Sequence, residues 1–411
     1  MSETERFDAV AIGAGFCGLA AGAALRANGV QSFAILEQGQ GVGYFWSKTY
    51  DRIHLHSPWH GLPNDRGRVA SYPMFKSRDE LISYFGAYAD LHGLAPHFRF
   101  GERVLRVRRQ EPGAHDGFEW RLETESRVFE ARFLIVATAL NRVPTLPAIP
   151  GREAYGGRVL HSSEYRAPAP FAGQAVLVVG SGNSAAEIAL DLSEHGARSV
   201  SMWVRGPRHF VPRSRMAWLF KFFRAIGMFS DERMMAAHRM RYGTPEFEKT
   251  VRMRDSLPSR FSVDLSRFGI RKPAVGPNTE TFLNGRIPVF DIGAIGAIRR
   301  GAIRIIDGNE RPIESFTEKG VCFRGGEEAF DAVILATGFE PRLDEFIAAR
   351  ELLGTGRWGR LMPVTDGRSR STVHPSVWFP GFDITPNGGW SLGPWGWEAG
   401  EAIAEQLGRR A

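Results

Sequence analysis

The sequence predicts an α/β protein with two Rossmann-like dinucleotide-binding domains, the second inserted into a split first. Three observations carry that prediction. A strand, a glycine turn and a helix occur twice, beginning at Phe7 and at Ala175. Two more apolar strands end in similar words, Ala137-Thr-Ala139 and Ala336-Thr-Gly338. The 411 residues also exceed one small module, at roughly 100 to 200 residues per domain.

Taken in order, Phe7 to Ile12 is a short run of small and β-branched residues, which reads as a buried strand. A glycine cluster ends it, and Ala-rich helical sequence follows as far as the Asn28-Gly29 stop. Phe33 to Glu37 is a second strand and completes a βαβ unit. Phe133 to Thr138 is a further strand, expected to close the first sheet. Val143 to Gly151 carries three prolines and suits an extended interdomain linker. The second βαβ unit runs through strand Ala175–Val179, turn Gly180–Gly182, helix Ala185–Leu192 and strand Ser199–Val204. From Arg208 to about Arg271 strand character disappears, and Met- and Phe-rich helical sequence suggests an insertion. Asp331 to Gly338 is expected to close the second sheet. The expected divisions are 1–165 and 341–411 for the first domain, with 166–340 between them.

Composition narrows the functional classes. Hydrophobic residues at 43% and charged residues at 24% exclude a mostly disordered chain. The 47 glycines exceed the usual share of about 7%, and without a G-X-Y repeat they indicate tight turns or ligand loops. Cys17 and Cys322 cannot supply a disulfide framework, a four-cysteine zinc site or a CxxC pair. A reduced, cytoplasmic protein without a metal centre is expected.

The net charge of +7 is mostly arginine, since only six lysines occur. Residues Arg205 to Lys272 alone hold +10. No zinc-finger spacing, RNP motif or recognition helix accompanies that patch, so no nucleic acid is expected; a solvated face or a phosphate-bearing small ligand accounts for it. Ala9 to Leu25 lacks charge for 17 residues, but acidic residues precede it and glycines interrupt it. Met216 to Phe229 is broken by Lys221 and Arg224. Membrane association is not expected.

Gly13-Ala-Gly15-Phe-Cys-Gly18 is a G-x-G-x-x-G between a strand and a helix, with Glu37 nineteen residues beyond Gly18. Gly13 makes the turn, Gly15 admits a pyrophosphate, Gly18 packs helix on strand, and Glu37 can accept from ribose hydroxyls. Gly180-Ser-Gly182-Asn183-Ser184-Ala185 repeats the pattern. Its second strand ends in Trp203-Val-Arg205 where the first ends in an acid. A carboxylate there would repel a 2′-phosphate, whereas Arg205 can pair with it; Arg208 and Arg213 either help or are exposed structural arginines. FAD at the first site and NADPH at the second is the simplest assignment. No paired cysteine accompanies the first helix, so something other than a disulfide must take the electrons.

Tyr155-Gly-Gly157-Arg-Val-Leu-His161-Ser-Ser-Glu-Tyr165 resembles the F-x-G-x-x-x-H-x-x-x-[YF] fingerprint of flavin-containing monooxygenases. The related Baeyer-Villiger pattern would want tryptophan at Tyr165. The resemblance extends over nearly the whole chain. Trp46 to Pro58, Gly182-Asn-Ser with Glu187, Ile287 to Ala294, and Ala336-Thr337-Gly338-Phe339 are similar to the plant YUCCA branch, the indole-3-pyruvate monooxygenases. His56 is the informative position, because amine- and sulfide-oxidising relatives are expected to place an asparagine there. Ala139 departs from the family's glycine.

The resemblance implies a monooxygenase that uses FAD, NADPH and O2 through a C4a-(hydro)peroxyflavin. Oxidative decarboxylation of an aromatic 2-oxo acid is the expected reaction. The alternatives are N- or S-oxygenation, Baeyer-Villiger oxidation, or a catalytically idle nucleotide-binding protein. It further implies cofactor roles for His161, Thr337, Gly338 and Asp383, the last meeting the ribityl chain or the ring. Trp46 either flanks the isoalloxazine or belongs to the core. Asn141 either positions NADPH or the oxygenated flavin, or is a turn asparagine. His56 near the flavin would matter to the choice between 2-oxo acid and heteroatom chemistry. Trp390, Trp395 and Trp397 either line the substrate site or pack on the core, and the insertion suits a lid. Homodimerisation is left open.

Overall fold

A computed structural model of the chain describes residues 4–56, 58, 61–111, 116–225, 240, 242–383 and 392–408. The first sheet runs Phe98–Phe100, Phe33–Glu37, Thr4–Ile12, Val128–Val136 in parallel, and Trp120–Thr124 and Val104–Arg109 continue it antiparallel. Phe33–Glu37 is buried at every residue, which explains its unbroken apolar reading: parallel strands are covered on both faces. Val128–Val136 serves several partners. Its whole length pairs with Thr4–Ile12, its first half with Trp120–Thr124, and Leu134 and Ile135 with the late strand Val377–Trp378. The C-terminal part of the chain therefore returns to the first sheet.

The second sheet is parallel throughout, in the order Ile303–Asp307, Ser199–Val204, Ala175–Val179, Ala332–Leu335, Arg158–His161. The strands expected to close the two sheets instead lie inside them. An all-apolar strand must be covered on both faces, and Ala332–Leu335 is buried at every residue. The edge place falls to Arg158–His161, whose exposed Arg158 suits it.

The helix Leu392–Gln406 lies on Phe16–Ala27 at glycine distance. A Cβ on Gly396 would stand 2.2 Å from the Cys17 carbonyl oxygen, and one on Gly400 2.5 Å from that of Ala21. Part of the glycine excess is thus spent on this helix seam. Trp395 is buried in the same helix, while Trp397 packs against the His92 ring and donates to Glu401 at 2.6 Å. Trp390 lies outside the described residues.

The insertion opens with a short strand, Phe210–Pro212, paired parallel to Val289–Asp291. Helices Arg213–Ala225, Pro245–Met253 and Ser256–Phe261 follow, the second capped by the Thr244 hydroxyl, which accepts from Phe247 N. The two crossings between the sheets pair with each other, Val143–Pro144 running antiparallel to Phe339–Glu340. Arg142 fastens the same place by donating to the Pro341 carbonyl at 2.8 Å. Among the described residues no helix is long and apolar enough to cross a membrane.

The strand words Ala137-Thr-Ala139 and Ala336-Thr-Gly338 end alike, with φ of 62° at Ala139 and 86° at Gly338. An L-residue in this left-handed region is strained by about 1–2 kcal/mol, of which glycine's greater unfolded-state freedom would cancel part. Ala139→Gly should therefore raise the unfolding free energy by about 0.5–1 kcal/mol, read as a higher urea midpoint at constant slope. A lower midpoint would show that the Ala139 methyl contributes more than its backbone strain costs.

Candidate cofactor clefts and the seam between them

The glycines of the first turn divide by what a side chain would meet. A Cβ on Gly13, whose φ is 106°, would lie 2.8 Å from the Ala137 carbonyl oxygen, and one on Gly18 only 1.8 Å from that of Gly13. Gly15 would meet nothing within 4 Å. The fold needs the outer two, and the middle one leaves a cradle open. Gly15 caps Phe16–Ala27 without a side-chain bond, so the first helical N–H groups remain available to an anion. Beside them Glu37 accepts from Ala14 N at 2.9 Å and from Gly39 N at 3.1 Å. Burial pushes its carboxyl above the usual carboxylate range, against the pull of these N–H groups.

Phe379 to Asp383 comes to the same helix start. A Cβ on Gly381 would stand 3.1 Å from Cys17 Sγ. Asp383 is tied into its own loop, accepting from Thr365 Oγ1 at 2.8 Å and from Ser369 N at 2.7 Å. The Cys17 thiol is pushed up to about 12 by burial, so it is inert.

The second turn repeats the division. A Cβ on Gly180 would fall 2.4 Å from the Ala336 carbonyl oxygen, whereas Gly182 is clear. Asn183 is spent on the neighbouring segment, donating to the Pro288 carbonyl at 2.9 Å and accepting from Phe290 N at 2.8 Å. Arg208 reaches the turn itself: its Nη2 donates to Ser181 Oγ at 3.2 Å and its Nη1 to the Ile287 carbonyl at 3.3 Å. Burial lowers its pKa, and the Arg286 charge adds to that. Arg205 lies exposed at the end of its strand.

Between the clefts, Trp46 packs against the cores of both sheets. His161 is buried at the crossing, where its Nε2 donates to the Gly338 carbonyl at 3.1 Å and its Nδ1 accepts from Ser163 N at 3.1 Å. That pattern fixes the neutral ring. The Gly338 carbonyl also accepts from Thr145 N at 2.9 Å, and Thr337 Oγ1 donates to the Thr145 carbonyl. Asn141, two residues past Ala139, is exposed.

The helix Asn183–Glu194 turns a line of carboxylates toward the loop after Trp46. Tyr50 donates to Glu187 Oε2 at 2.6 Å, and Tyr165 to Asp191 Oδ2 at 2.7 Å. Arg52 meets Asp191 at 3.5 Å and also pairs with Glu194. His56 Nδ1 stands 3.4 Å from Glu187 Oε1. Tyr50 and Arg52 stand inside the Trp46 to Pro58 stretch with no local pattern to mark them, and Asp191 lies outside every motif. The spacing of residues 187, 191 and 194 was the available signal, since it places three acids on one helical face.

Burial lowers the pKa of His92, His97, His161 and His209. Such rings contribute stability that is full above the unfolded value of about 6.5 and is lost as pH falls through the lower folded values. Between these limits the unfolded chain binds more protons. The melting temperature should hold between pH 7 and 8 and fall steeply toward pH 5, with a shallower fall in His161→Gln. A flat profile below pH 6.5 would contradict neutral burial of these rings.

These two glycine cradles, each at a helix start on a parallel sheet, define a two-dinucleotide flavoprotein. Residues 10–219 match the pyridine nucleotide-disulphide oxidoreductase family, and the chain belongs to it. It is an FAD- and NADPH-dependent monooxygenase, similar to indole-3-pyruvate monooxygenase YUCCA1 of Oryza sativa, with 35% identity over 356 residues covering 82% of this chain and 78% of the relative. A probable indole-3-pyruvate monooxygenase YUCCA1 of Arabidopsis thaliana is 33% identical over 384 residues, covering 90% and 81%. Among solved structures, a flavin-containing monooxygenase from Stenotrophomonas maltophilia matches at TM-score 0.66 and 25% identity, covering 98% of this chain and 99% of that one. Open cyclohexanone monooxygenase matches at TM-score 0.68 and 18% identity, covering 98% and 88%, which is a likeness of fold. Despite the family's name, Cys17 and Cys322 are both free here.

Proposed function

We propose that the chain converts an aromatic 2-oxo acid of the indole-3-pyruvate type to the acid one carbon shorter. The 2-oxo acid, O2, NADPH and a proton would give the shortened acid, CO2, NADP+ and water. The observation that carries this reading is the 35% identity to an indole-3-pyruvate monooxygenase over 82% of the chain. Bound FAD supplies the redox chemistry, taking electrons from NADPH and activating O2. The chain's own part is to bind, orient and exclude water. In this reading Gly13, Gly15, Gly18 and Glu37 hold the FAD pyrophosphate and ribose, while Asp383 and Trp46 border the ring. Gly180, Gly182, Ser184, Arg205 and Arg208 hold NADPH. Asn183, His161, Thr337 and Gly338 fix the segments around it. His56 and Asn141 face the reacting centre. Two free cysteines suit the reducing cytoplasm, which we propose as the compartment.

The test is turnover of purified protein with NADPH and O2, offering indole-3-pyruvate, phenylpyruvate, a tertiary amine and a sulfide in turn. Release of one CO2 per NADPH with a 2-oxo acid is the expected result. N-oxide or S-oxide formation, with no CO2 from either 2-oxo acid, would move the assignment to heteroatom oxygenation.

A further inference from the structure

Three elements bring polar groups to one buried place in the seam: the loop that carries His56, the helix Asn183–Glu194 and the start of the helix Arg213–Ala225. We propose that Glu187 is a positioning residue that holds the proton of His56 on Nδ1, so that Nε2 presents a lone pair to the cleft. The proposal rests on the reading of this seam as the reaction site.

Glu187 is 2% exposed, and its two oxygens have different neighbours. Oε2 takes the Tyr50 phenol proton at 2.6 Å. Oε1 lies 3.4 Å from His56 Nδ1, and both atoms are buried without a hydrogen-bond partner among the described residues. At 3.4 Å the two atoms stand just beyond the usual hydrogen-bond distance. A buried acceptor and a buried ring nitrogen that make no other bond are costly to leave apart. A carboxylate offers only acceptors, so the ring must bring the proton on Nδ1. The His56 side chain remains 28% accessible although Nδ1 is buried, and Nε2 is not among the buried unbonded atoms. A histidine's free nitrogen is set by what its other nitrogen binds, and here the partner comes from the opposite domain.

The remaining groups support the carboxylate. The buried Tyr50 phenol keeps Oε2 occupied, which leaves Oε1 to face the ring. Arg213 lies over the Phe75 ring at 4.9 Å with its Nη1 buried and unbonded among the described residues, and it feels the Glu187 charge. Asp191 and Arg52 compensate each other one turn further along. Because Glu187 stands in the helix that opens at the Gly182 cradle, the state of His56 is tied to the second cofactor's helix.

The test is 15N-histidine NMR of the FAD-loaded protein, with His56→Asn identifying the His56 signals. In the native protein Nδ1 should show the protonated-type shift and Nε2 the unprotonated-type shift. Glu187→Gln, which can turn its NH2 toward the ring, should reverse the two; Tyr50→Phe should not. With 2-oxo acid, turnover in Glu187→Gln should fall at least tenfold while KM for NADPH changes less than twofold. Should that variant fail to fold, Glu187→Asp replaces it, and its shorter carboxylate should lower the Nδ1–H population. Unchanged His56 signals in the variant measured would overturn the proposal. If His56→Asn keeps native 2-oxo acid turnover, the functional reading of His56 fails even where the tautomer result stands.

Discussion

Gly15→Leu should leave the apoprotein as stable as the native one and unable to hold flavin. A side chain at Gly15 meets nothing within 4 Å in the protein itself, and the backbone there is extended with φ of −97°. The new side chain would instead fill the cradle at the helix start, and flavin affinity should drop by at least about 100-fold, the loss expected when a pyrophosphate can no longer reach its N–H groups. Gly18→Ala should do the opposite in kind. Its Cβ would stand 1.8 Å from a backbone oxygen, so strand and helix must part. Overpacking of this sort costs about 1–3 kcal/mol, and more where the obstacle is backbone. The two variants are compared by apoprotein melting temperature and by the flavin-to-protein absorbance ratio after loading. Stoichiometric flavin on Gly15→Leu would remove Gly15 from the pyrophosphate site.

Arg205→Ala should raise KM for NADPH by about 10- to 100-fold, as expected for loss of one or two charge-assisted hydrogen bonds to a 2′-phosphate. NADH, which lacks that phosphate, should be used as before. The exposed guanidinium has little to do in the fold, so stability should stay within about 0.5 kcal/mol. Arg208→Ala should behave otherwise, because Arg208 joins Ser181 Oγ to the Ile287 carbonyl. Its loss loosens the glycine turn itself, and KM should rise for both NADPH and NADH. Steady-state kinetics with both dinucleotides separate the cases. If Arg205→Ala alters NADH and NADPH use equally, Arg205 does not read the phosphate.

Sequence pattern carried the parts of this fold that depend on local chemistry. The glycine turns are legible because Gly13 and Gly180 need a positive φ and a close backbone approach, demands that one residue type meets. The strands around them are legible because burial on both faces leaves an unbroken apolar run. Strand order was not legible, and Val128–Val136 and Ala332–Leu335 sit inside their sheets, since an apolar run reveals coverage but not neighbours. The arrangement at His161 also required coordinates. Its motif marks a functional family, yet both ring nitrogens are committed to Gly338 and Ser163. The contacts of Tyr50 and Arg52 with the acidic helix join residues more than 130 positions apart, and no local periodicity in the loop announces them.

The paired crossings at Val143–Pro144 and Phe339–Glu340 give the molecule a spine. Two separate connecting strands would let one half drift and tumble against the other. Bonded side by side, with the Gly338 carbonyl held by Thr145 and His161 together, they fasten the two sheets to each other along one line beside the buried His161 ring.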